Sequence, residues 1–253
     1  MILDAFRLDG KSALVTGSFR GLGAAMAVAL AEAGANVMCH DRMSSACTTC
    51  DKVRGFGRKT GYLNADLGDR KAAAFLVDRT IAELGSLDIV INNAGVIRRA
   101  PAAEFPEEYW DEVIAVNLSA VFRLCQLAGR HVLARGSGKI VNIASLLSFQ
   151  GGITVPSYAA AKGGVGQLTK ALANEWAGKG VNVNAIAPGY MATENTFPLR
   201  QDAARSRQIV ERIPAGRWGE PSDLAGAVVF LSSSASDYVN GHLLVVDGGW
   251  LGR

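Results

Sequence analysis

The sequence is poor in cysteine, has no long apolar run and carries little net charge. Four cysteines in 253 residues are typical of a chain that folds around a core rather than around disulfides. Its strongly apolar stretches, such as residues 227–231, are far shorter than the ~20 residues of a membrane-spanning helix. The formal net charge of +3 is spread along the chain. We therefore expect no membrane span, no nucleic-acid partner and no disulfide scaffold.

Two further absences bear on location and on metals. The first ten residues contain Asp4, Arg7 and Asp9, so they lack the apolar core of a signal peptide, and a cytoplasmic location is expected. Cys47 and Cys50 have C-x-x-C spacing, but no second cysteine pair or histidine pair stands at metal-ligand spacing. The sequence therefore predicts two reduced thiols at a helix start and no metal site.

Apolar, β-branched segments alternate with helical patterns along the chain, which is typical of βαβ units on a parallel sheet. Helices are predicted at residues 24–33 and 157–178, and strands at 12–15, 36–39, 60–63, 87–91, 139–144, 182–187 and 243–246. No linker or internal repeat interrupts them. We predict one α/β domain over residues 1–253, a doubly wound Rossmann fold with a seven-stranded parallel sheet and helices on both faces.

A glycine-rich turn joins the first predicted strand to the first helix. Such a junction offers free N–H groups and the positive end of a helix dipole to a pyrophosphate, and glycines allow the backbone to approach it closely. A second set of small residues follows the fourth strand, at the same edge of the sheet. The residues that we expect to contact a nucleotide here are Gly17, Arg20, Gly21, Leu22, Gly23, Asn93, Ala94 and Gly95.

The end of the second strand bears on the choice of cofactor. Asp41 stands where a carboxylate accepts hydrogen bonds from the adenosine ribose and repels a 2′-phosphate, which favours NAD. Arg20 and Arg42 favour the alternative, because a guanidinium binds a phosphate through two hydrogen bonds. The sequence predicts NAD and leaves NADP open.

Tyr158 and Lys162 are four residues apart on the long predicted helix, so they share one face at about 5–6 Å. A neighbouring ammonium lowers the pKa of a phenol, and such a pair can take the proton of an alcohol while a hydride leaves for a nicotinamide. Ser145 ends the fifth strand, where its hydroxyl can hold the substrate oxygen. Asn117 lies on the preceding helix, where its amide could hold a water chain leading to Lys162.

With these residues the sequence resembles the short-chain dehydrogenase/reductase family over essentially its whole length. The resemblance rests on TGSFRGLG, NNAG, Asn117, Ser145, the Tyr158/Lys162 pair and a Pro-Gly turn after the sixth strand. It implies that Tyr158 is the general acid/base, that Lys162 binds the ribose hydroxyls and that Asn117 belongs to a proton relay. The further cofactor contacts that it implies are Asp66, Leu67, Pro188, Gly189, Met191 and Thr193.

Longer segments, such as NNAGVIRR and RIPAGRWGEPSDL, resemble family members that act at C5 of a 3-deoxy sugar acid in pectin and uronate breakdown. A sugar acid carries a carboxylate, which an arginine would bind. Arg98 is our first candidate, and Gln150 is a candidate partner for a hydroxyl group. The other candidates are Arg99 and, in a substrate lid expected at about 190–217, Arg200, Arg205, Arg207 and Arg212.

Alternative functions stay open at this point. Within the family they are oxidation of gluconate at C5 and reduction of a 3-oxoacyl thioester; outside catalysis, an NAD-binding regulator could share the fold. The family resemblance also implies a homotetramer. Small residues along the helix from Ser157, and a tail whose Trp250 and Leu251 a single chain would leave partly exposed, agree with that expectation.

Overall fold

The computed structural model describes residues 1–42 and 47–253 and contains a seven-stranded parallel sheet in the order β3-β2-β1-β4-β5-β6-β7. This order is that of a doubly wound Rossmann fold, so the predicted fold class is confirmed. Each predicted strand is present, with ends within two residues of the prediction. The strands are β1 (Ser12–Thr16), β2 (Asn36–Asp41), β3 (Thr60–Asn64), β4 (Ile89–Asn92), β5 (Gly138–Ile143), β6 (Val181–Pro188) and β7 (Leu243–Val246).

Helices cover both faces of the sheet. The first predicted helix begins three residues earlier than expected, at the glycine turn itself, and the long helix begins with a proline, whose missing N–H is harmless there. The helices are α1 (Gly21–Glu32), α2 (Thr48–Gly55), α3 (Ala72–Leu84), α4 (Glu107–Ile114), α5 (Ala120–Arg135), α6 (Pro156–Trp176), α7 (Phe197–Gln201), α8 (Ala203–Arg212) and α9 (Ala225–Ser232).

The core consists of two apolar layers, one on each side of the sheet. Residues of α3, α5 and α6 pack on one face and residues of α1, α2 and α9 on the other. All residues of β1 and β6 are buried, because a strand of a parallel sheet is covered from both sides. This double cover leaves the carboxyl ends of the strands as the open edge.

The helical stretch from Glu107 to Arg135 is long and apolar enough to cross a membrane by length and composition. Its apolar residues are used differently here, since Val121, Leu124 and Val132 are buried against the sheet. Its apolar character is therefore that of a core helix.

The chain's last residues fold back onto their own subunit, which corrects one prediction. Trp250 is only 5% exposed within a single chain, although we expected a single chain to leave it partly exposed. Its ring lies 4.6 Å from that of Tyr190, and the Arg212 guanidinium lies 4.1 Å above it. Leu251 is half-buried. Trp250 therefore gives no support to an interface through the tail.

Candidate active site

A cavity of about 410 Å³ opens at the carboxyl edge of the sheet, where the strand order reverses between β1 and β4. In doubly wound folds this position is where nucleotides bind. The predicted residues that line it are Gly17, Arg20, Gly21, Leu22, Gly23, Asp41, Asp66, Leu67, Asn93, Ala94, Gly95, Arg98, Tyr158, Lys162 and Thr193. The topology therefore brings together most of the side chains that the sequence marked.

The glycine turn is so tight that two of its glycines leave no room for a side chain. Gly17 has φ +64°, and a Cβ there would lie 2.9 Å from Cα of Ala94. A Cβ on Gly23 would lie 2.0 Å from the carbonyl oxygen of Gly17. Bare backbone N–H groups at the start of α1 thus face the cavity, which is the cradle that a pyrophosphate requires.

Asn93 and Thr16 fasten this turn to the end of β4. The Asn93 amide donates to the carbonyl oxygens of Thr16, at 2.9 Å, and Gly17, at 3.0 Å. The Thr16 hydroxyl in turn accepts from the N–H groups of Asn93, at 3.0 Å, and Ala94, at 3.1 Å. The half-buried Asn93 side chain therefore joins the loop after β4 to the glycine turn by hydrogen bonds, which is a structural reason for an amide at this position.

At the adenosine end of the cavity, acidic and basic side chains face each other. Asp41 accepts a 2.8 Å hydrogen bond from the N–H of Arg42, and both residues line the cavity. Arg20 forms an ion pair with Glu194, which belongs to the segment after β6. Both predicted phosphate-binding arginines are thus at the cavity, but one already has a carboxylate partner.

Tyr158 and Lys162 lie on the face of α6 that borders the cavity, as predicted. Nζ of Lys162 lies 5.7 Å from the centre of the Tyr158 ring and donates a 2.5 Å hydrogen bond to the carbonyl of Ile143, at the end of β5. Ser145 follows that strand, and its hydroxyl hydrogen-bonds to Tyr158. The end of β5 and the start of α6 thus place a phenol, an ammonium and a hydroxyl together.

The pKa values of this pair differ from the simplest expectation. Burial raises the pKa of Tyr158, while the hydrogen bond from Ser145 and the charge of Arg99 lower it. Burial lowers the pKa of Lys162 to about 8. Desolvation of the phenolate is thus the largest influence on the Tyr158 pKa, and the Lys162 ammonium donates to the Ile143 carbonyl.

Asn117 lies in a π-helical turn, Ala115–Ser119, between α4 and α5, and it is fully buried. Its amide donates to the carbonyl of Val96 at 2.8 Å and accepts from the Val96 N–H at 2.8 Å. The side chain thereby fixes the backbone after β4. The amide keeps a second N–H and a second lone pair on its oxygen, so the predicted role in a proton relay stays a prediction.

The other residues implied by the family resemblance fall into two groups. Thr193 lines the cavity, and the carboxylate of Asp66 accepts from the N–H of Gly68 at its rim. Pro188, Gly189 and Met191 do not line the cavity among the described residues; Met191 is 3% exposed and pairs with Gly219 through a β-bridge. Pro188 and Gly189 lie beside Val246 of β7, a few residues before Thr193 in the chain.

Two of the side chains predicted to contact the substrate already form hydrogen bonds with other residues of the protein. Arg98 lines the cavity, but its guanidinium forms hydrogen bonds of 2.7 and 2.8 Å with Glu112. Gln150 accepts from the indole N–H of Trp250 at 3.3 Å. Arg99 is exposed, and its charge acts on Tyr158. Arg98 thus has a carboxylate partner, whereas Arg99 has none in the described part of the chain but does not line the cavity.

The lid arginines differ in the same way. The Arg200 guanidinium donates to the Thr193 carbonyl at 3.2 Å, and Arg205 donates to Gln208 at 3.2 Å. Arg212 stacks on Trp250. They surround the segment after Thr193, and none of the predicted lid arginines lines the cavity that the described residues enclose.

The C-x-x-C cysteines have a third neighbour that their spacing does not reveal. Sγ atoms of Cys39, Cys47 and Cys50 all lie within 4.8 Å of one another. A hydrogen bond from the Cys39 thiol, together with bonds from Cys50, lowers the pKa of Cys47 to about 6. Hydrogen bonds with Cys47 and with Cys50, together with burial, raise the pKa of Cys39. Cys39 lies on β2, two residues before Asp41.

Several cavity residues were not predicted from the sequence. Ile143 offers its carbonyl to Lys162, and Glu194 neutralises Arg20. Glu194 could have been suspected from its position next to Thr193. Its ion pair with Arg20 could not, because the two residues are far apart in the sequence. The remaining unpredicted residues are His40, Ala65, Val96, Ile97, Val116 and Asn195.

Comparison with known proteins gives a consistent result. The family model described as Enoyl-(Acyl carrier protein) reductase matches residues 17–251. The chain is 55% identical to 2-dehydro-3-deoxy-D-gluconate 5-dehydrogenase of Escherichia coli K12, with 100% of both chains covered.

Solved structures are equally similar. A protein of Agrobacterium tumefaciens with bound NADP is 56% identical, with a TM-score of 0.92 over 98% of this chain and 99% of that chain. A gluconate 5-dehydrogenase of Burkholderia cenocepacia in complex with NADP and tartrate is 43% identical, with a TM-score of 0.95 over 100% of both chains. The chain belongs to the short-chain dehydrogenase/reductase family.

Proposed function

We propose that the chain is an NAD-dependent oxidoreductase that interconverts 2-dehydro-3-deoxy-D-gluconate and 3-deoxy-D-glycero-2,5-hexodiulosonate at C5. The observation that carries the proposal is the full-length similarity, at 55% identity, to an enzyme of that name. The reaction class has separate support, because Tyr158 and Lys162 face the same cavity as the glycine turn. A binding-only role would not require a phenol, an ammonium and a hydroxyl to converge there.

In this proposal each polar side chain has a stated task. The nicotinamide, when bound, supplies or accepts the hydride. Tyr158 gives its phenolic proton to the C5 oxygen during reduction and takes it back during oxidation, and Ser145 donates a hydrogen bond to the same oxygen. Lys162 keeps a positive charge beside the phenol and binds ribose hydroxyls. Asn117 positions Val96, and thereby the backbone along which the nicotinamide end would lie.

The cofactor half of the cavity fits a dinucleotide. The turn of Gly17, Gly21 and Gly23 would hold the pyrophosphate, and the surface formed by Asp66 and Leu67 would hold the adenine. Asn93, Ala94 and Gly95 would lie along the nicotinamide ribose, and Thr193 would contact the nicotinamide amide or the phosphates. Pro188, Gly189 and Met191 would support Thr193 from outside the cavity.

The preference for NAD rests on Asp41. Its carboxylate lines the cavity at the end of β2 and would repel a 2′-phosphate. NADP is a supported alternative, since two of the solved relatives above contain it and Arg20 and Arg42 stand at the same position. The Arg20–Glu194 ion pair opposes that alternative, because a 2′-phosphate would have to compete with Glu194 for the guanidinium.

For the substrate carboxylate we propose Arg99 ahead of Arg98. Arg98 is held in two hydrogen bonds by Glu112, so binding a second carboxylate would mean breaking an existing pair. Arg99 is exposed, and although it does not line the cavity itself, its positive charge lowers the pKa of Tyr158. The segment at about 190–217 would cover the substrate, and Gln150, whose carbonyl oxygen accepts from Trp250, would donate its amide N–H to a substrate hydroxyl.

The main rival substrate is gluconate, supported by the 43% identical gluconate 5-dehydrogenase. A panel of the 2,5-diketo-3-deoxy acid, 5-ketogluconate and a 3-oxoacyl thioester, each with NADH and NADPH, tests the proposal. We expect the highest kcat/KM for the diketo-deoxy acid. A higher value for 5-ketogluconate would give the function to the rival, and a higher value for the thioester would remove both sugar acids.

We also propose a homotetramer, on family grounds and on one exposed surface. The helices that carry Asn117 and Tyr158 flank a shallow groove lined by Leu118, Phe122 and Leu168, and Phe122 is 43% exposed. Apolar rings of this kind are typical of subunit interfaces. Light scattering during size exclusion tests this; the mass of a single chain at micromolar concentration would contradict it.

A further inference from the structure

Three thiols from two elements meet beside the adenosine end of the cofactor cavity. Cys39 comes from β2, Cys47 stands immediately before α2, and Cys50 lies in the first turn of that helix. Their Sγ atoms all lie within 4.8 Å of one another. Two of the thiols belong to the C-x-x-C pair at the start of α2. The third comes from β2, a separate element of the fold.

The spacing fits a single metal ion. Three sulfur atoms at about 2.3 Å from one ion lie about 4 Å from each other, so a small movement of the side chains would close the present triangle on an ion. The donors are all sulfur, which favours soft, thiophilic ions such as Zn²⁺ or Cu⁺ over Mg²⁺ or Ca²⁺. Cys39 is buried, whereas Cys47 is half-buried and gives a route from solvent.

We propose that Cys39, Cys47 and Cys50 form a binding site for one thiophilic metal ion, which ties the carboxyl end of β2 to the start of α2. Binding would replace thiol protons, which pass to the solvent, without any change of oxidation state. Asp41 follows Cys39 by two residues on the same strand. A bound ion would therefore fix the strand that presents Asp41 to the adenosine ribose, and would change the KM for the nicotinamide cofactor without contacting it.

Titration of the reduced full-length protein with Cd²⁺ tests the site directly, because thiolate-to-Cd²⁺ charge transfer gives an ultraviolet band. We expect one ion per chain and displacement by Zn²⁺. Cys47→Ser should weaken binding more than about 100-fold, since even residues that only support a ligand are worth about 10–100-fold. Cys125→Ala is the control: it also removes one thiol that is in no disulfide, but outside the cluster, and it should bind Cd²⁺ like the parent.

Three results would overturn the proposal. They are a missing band in the reduced parent, equal affinity in Cys47→Ser, and equal loss in Cys125→Ala. Binding is read without turnover, so its outcome is independent of the proposed substrate. The link to the cofactor has its own readout: Zn²⁺ should change the KM for NADH several-fold in the parent and leave it unchanged in Cys47→Ser. An unchanged KM with the site filled would refute that link.

Discussion

The two sides of the cleft are built in different ways. On the cofactor side, the cavity wall consists largely of backbone groups. Asn93 and Thr16 hold the glycine turn in place through hydrogen bonds of 2.9–3.0 Å. The segment after β6, which we propose to cover the substrate, is built differently: α7 and α8 expose most of their residues, and of these two helices only Ile209 is buried. We therefore expect substitutions on the cofactor side to reduce stability and cofactor binding, and substitutions on the other side to change mainly the substrate KM.

The largest effect is expected where the two sides meet. Tyr158→Phe removes one proton carrier and little volume, so turnover should fall by about 10²–10⁴-fold while NADH binding persists. Rapid kinetics together with cofactor fluorescence would measure both quantities. Turnover within a few-fold of the parent would remove Tyr158 from the chemistry.

Gly23→Ala tests the rigidity of the cofactor side. Its Cβ would lie 2.0 Å from the Gly17 carbonyl oxygen, so the turn must open. We expect a loss of stability of about 1–3 kcal/mol or more and loss of cofactor binding. Gly178→Ala, where a Cβ meets no atom within 4 Å, is the control for calorimetry. Normal cofactor affinity in Gly23→Ala would mean that the turn is softer than its geometry indicates.

Arg99→Ala tests the substrate side. A hydrogen-bonded charge is worth about 1.5–3 kcal/mol, so the KM for a sugar acid should rise at least about tenfold with little change in cofactor KM. Arg98→Ala is the matched neighbour and should raise the substrate KM less, since Arg98 is bound to Glu112. A larger increase of the substrate KM in Arg98→Ala than in Arg99→Ala would show that Arg98 binds the substrate carboxylate.

Lys162 links stability to pH on the cofactor side. Burial lowers its pKa from 10.5 to about 8, so between these values the unfolded chain binds more protons and stability rises with pH. Lys162→Met lacks this rise. From about pH 7.5 to about pH 9.5 the parent should gain about 2 kcal/mol relative to the variant in urea unfolding. Parallel pH curves would show that Lys162 is not desolvated as described.

The smallest effect concerns the ion pair that joins both sides. Glu194→Gln frees Arg20 for a 2′-phosphate and should raise kcat/KM for NADPH about two- to fivefold, as expected for an exposed pair. NADH kinetics should hardly change. Glu104→Gln, another exposed glutamate, is the control. An unchanged NADPH value would leave Asp41 as the determinant of cofactor choice.

The sequence predicts the cofactor side better than the substrate side for a physical reason. Strand–turn–helix patterns and glycine spacing are local, so β1 and the turn could be predicted almost to the residue, and α1 to within three residues. Side-chain partners that are far apart in the sequence could not be predicted. Examples are the Arg98–Glu112 ion pair and the hydrogen bond from the Val96 N–H to the Asn117 amide. Cys39 likewise joins the C-x-x-C pair only because β2 places it there. Trp250 was misjudged because its partners, Tyr190 and Arg212, lie about 40–60 residues away in the sequence, in the segment after β6.

The central claim is hydride transfer at C5 in a cleft served by Tyr158, and isotope tracing tests it most directly. The parent enzyme would reduce the 2,5-diketo-3-deoxy acid with NADH carrying deuterium at C4 on either face, and NMR would locate the label. The account predicts that one of the two labelled forms delivers deuterium to C5 alone, and that Tyr158→Phe forms the same labelled product far more slowly. Deuterium at C2, or product without label from both forms, would contradict it.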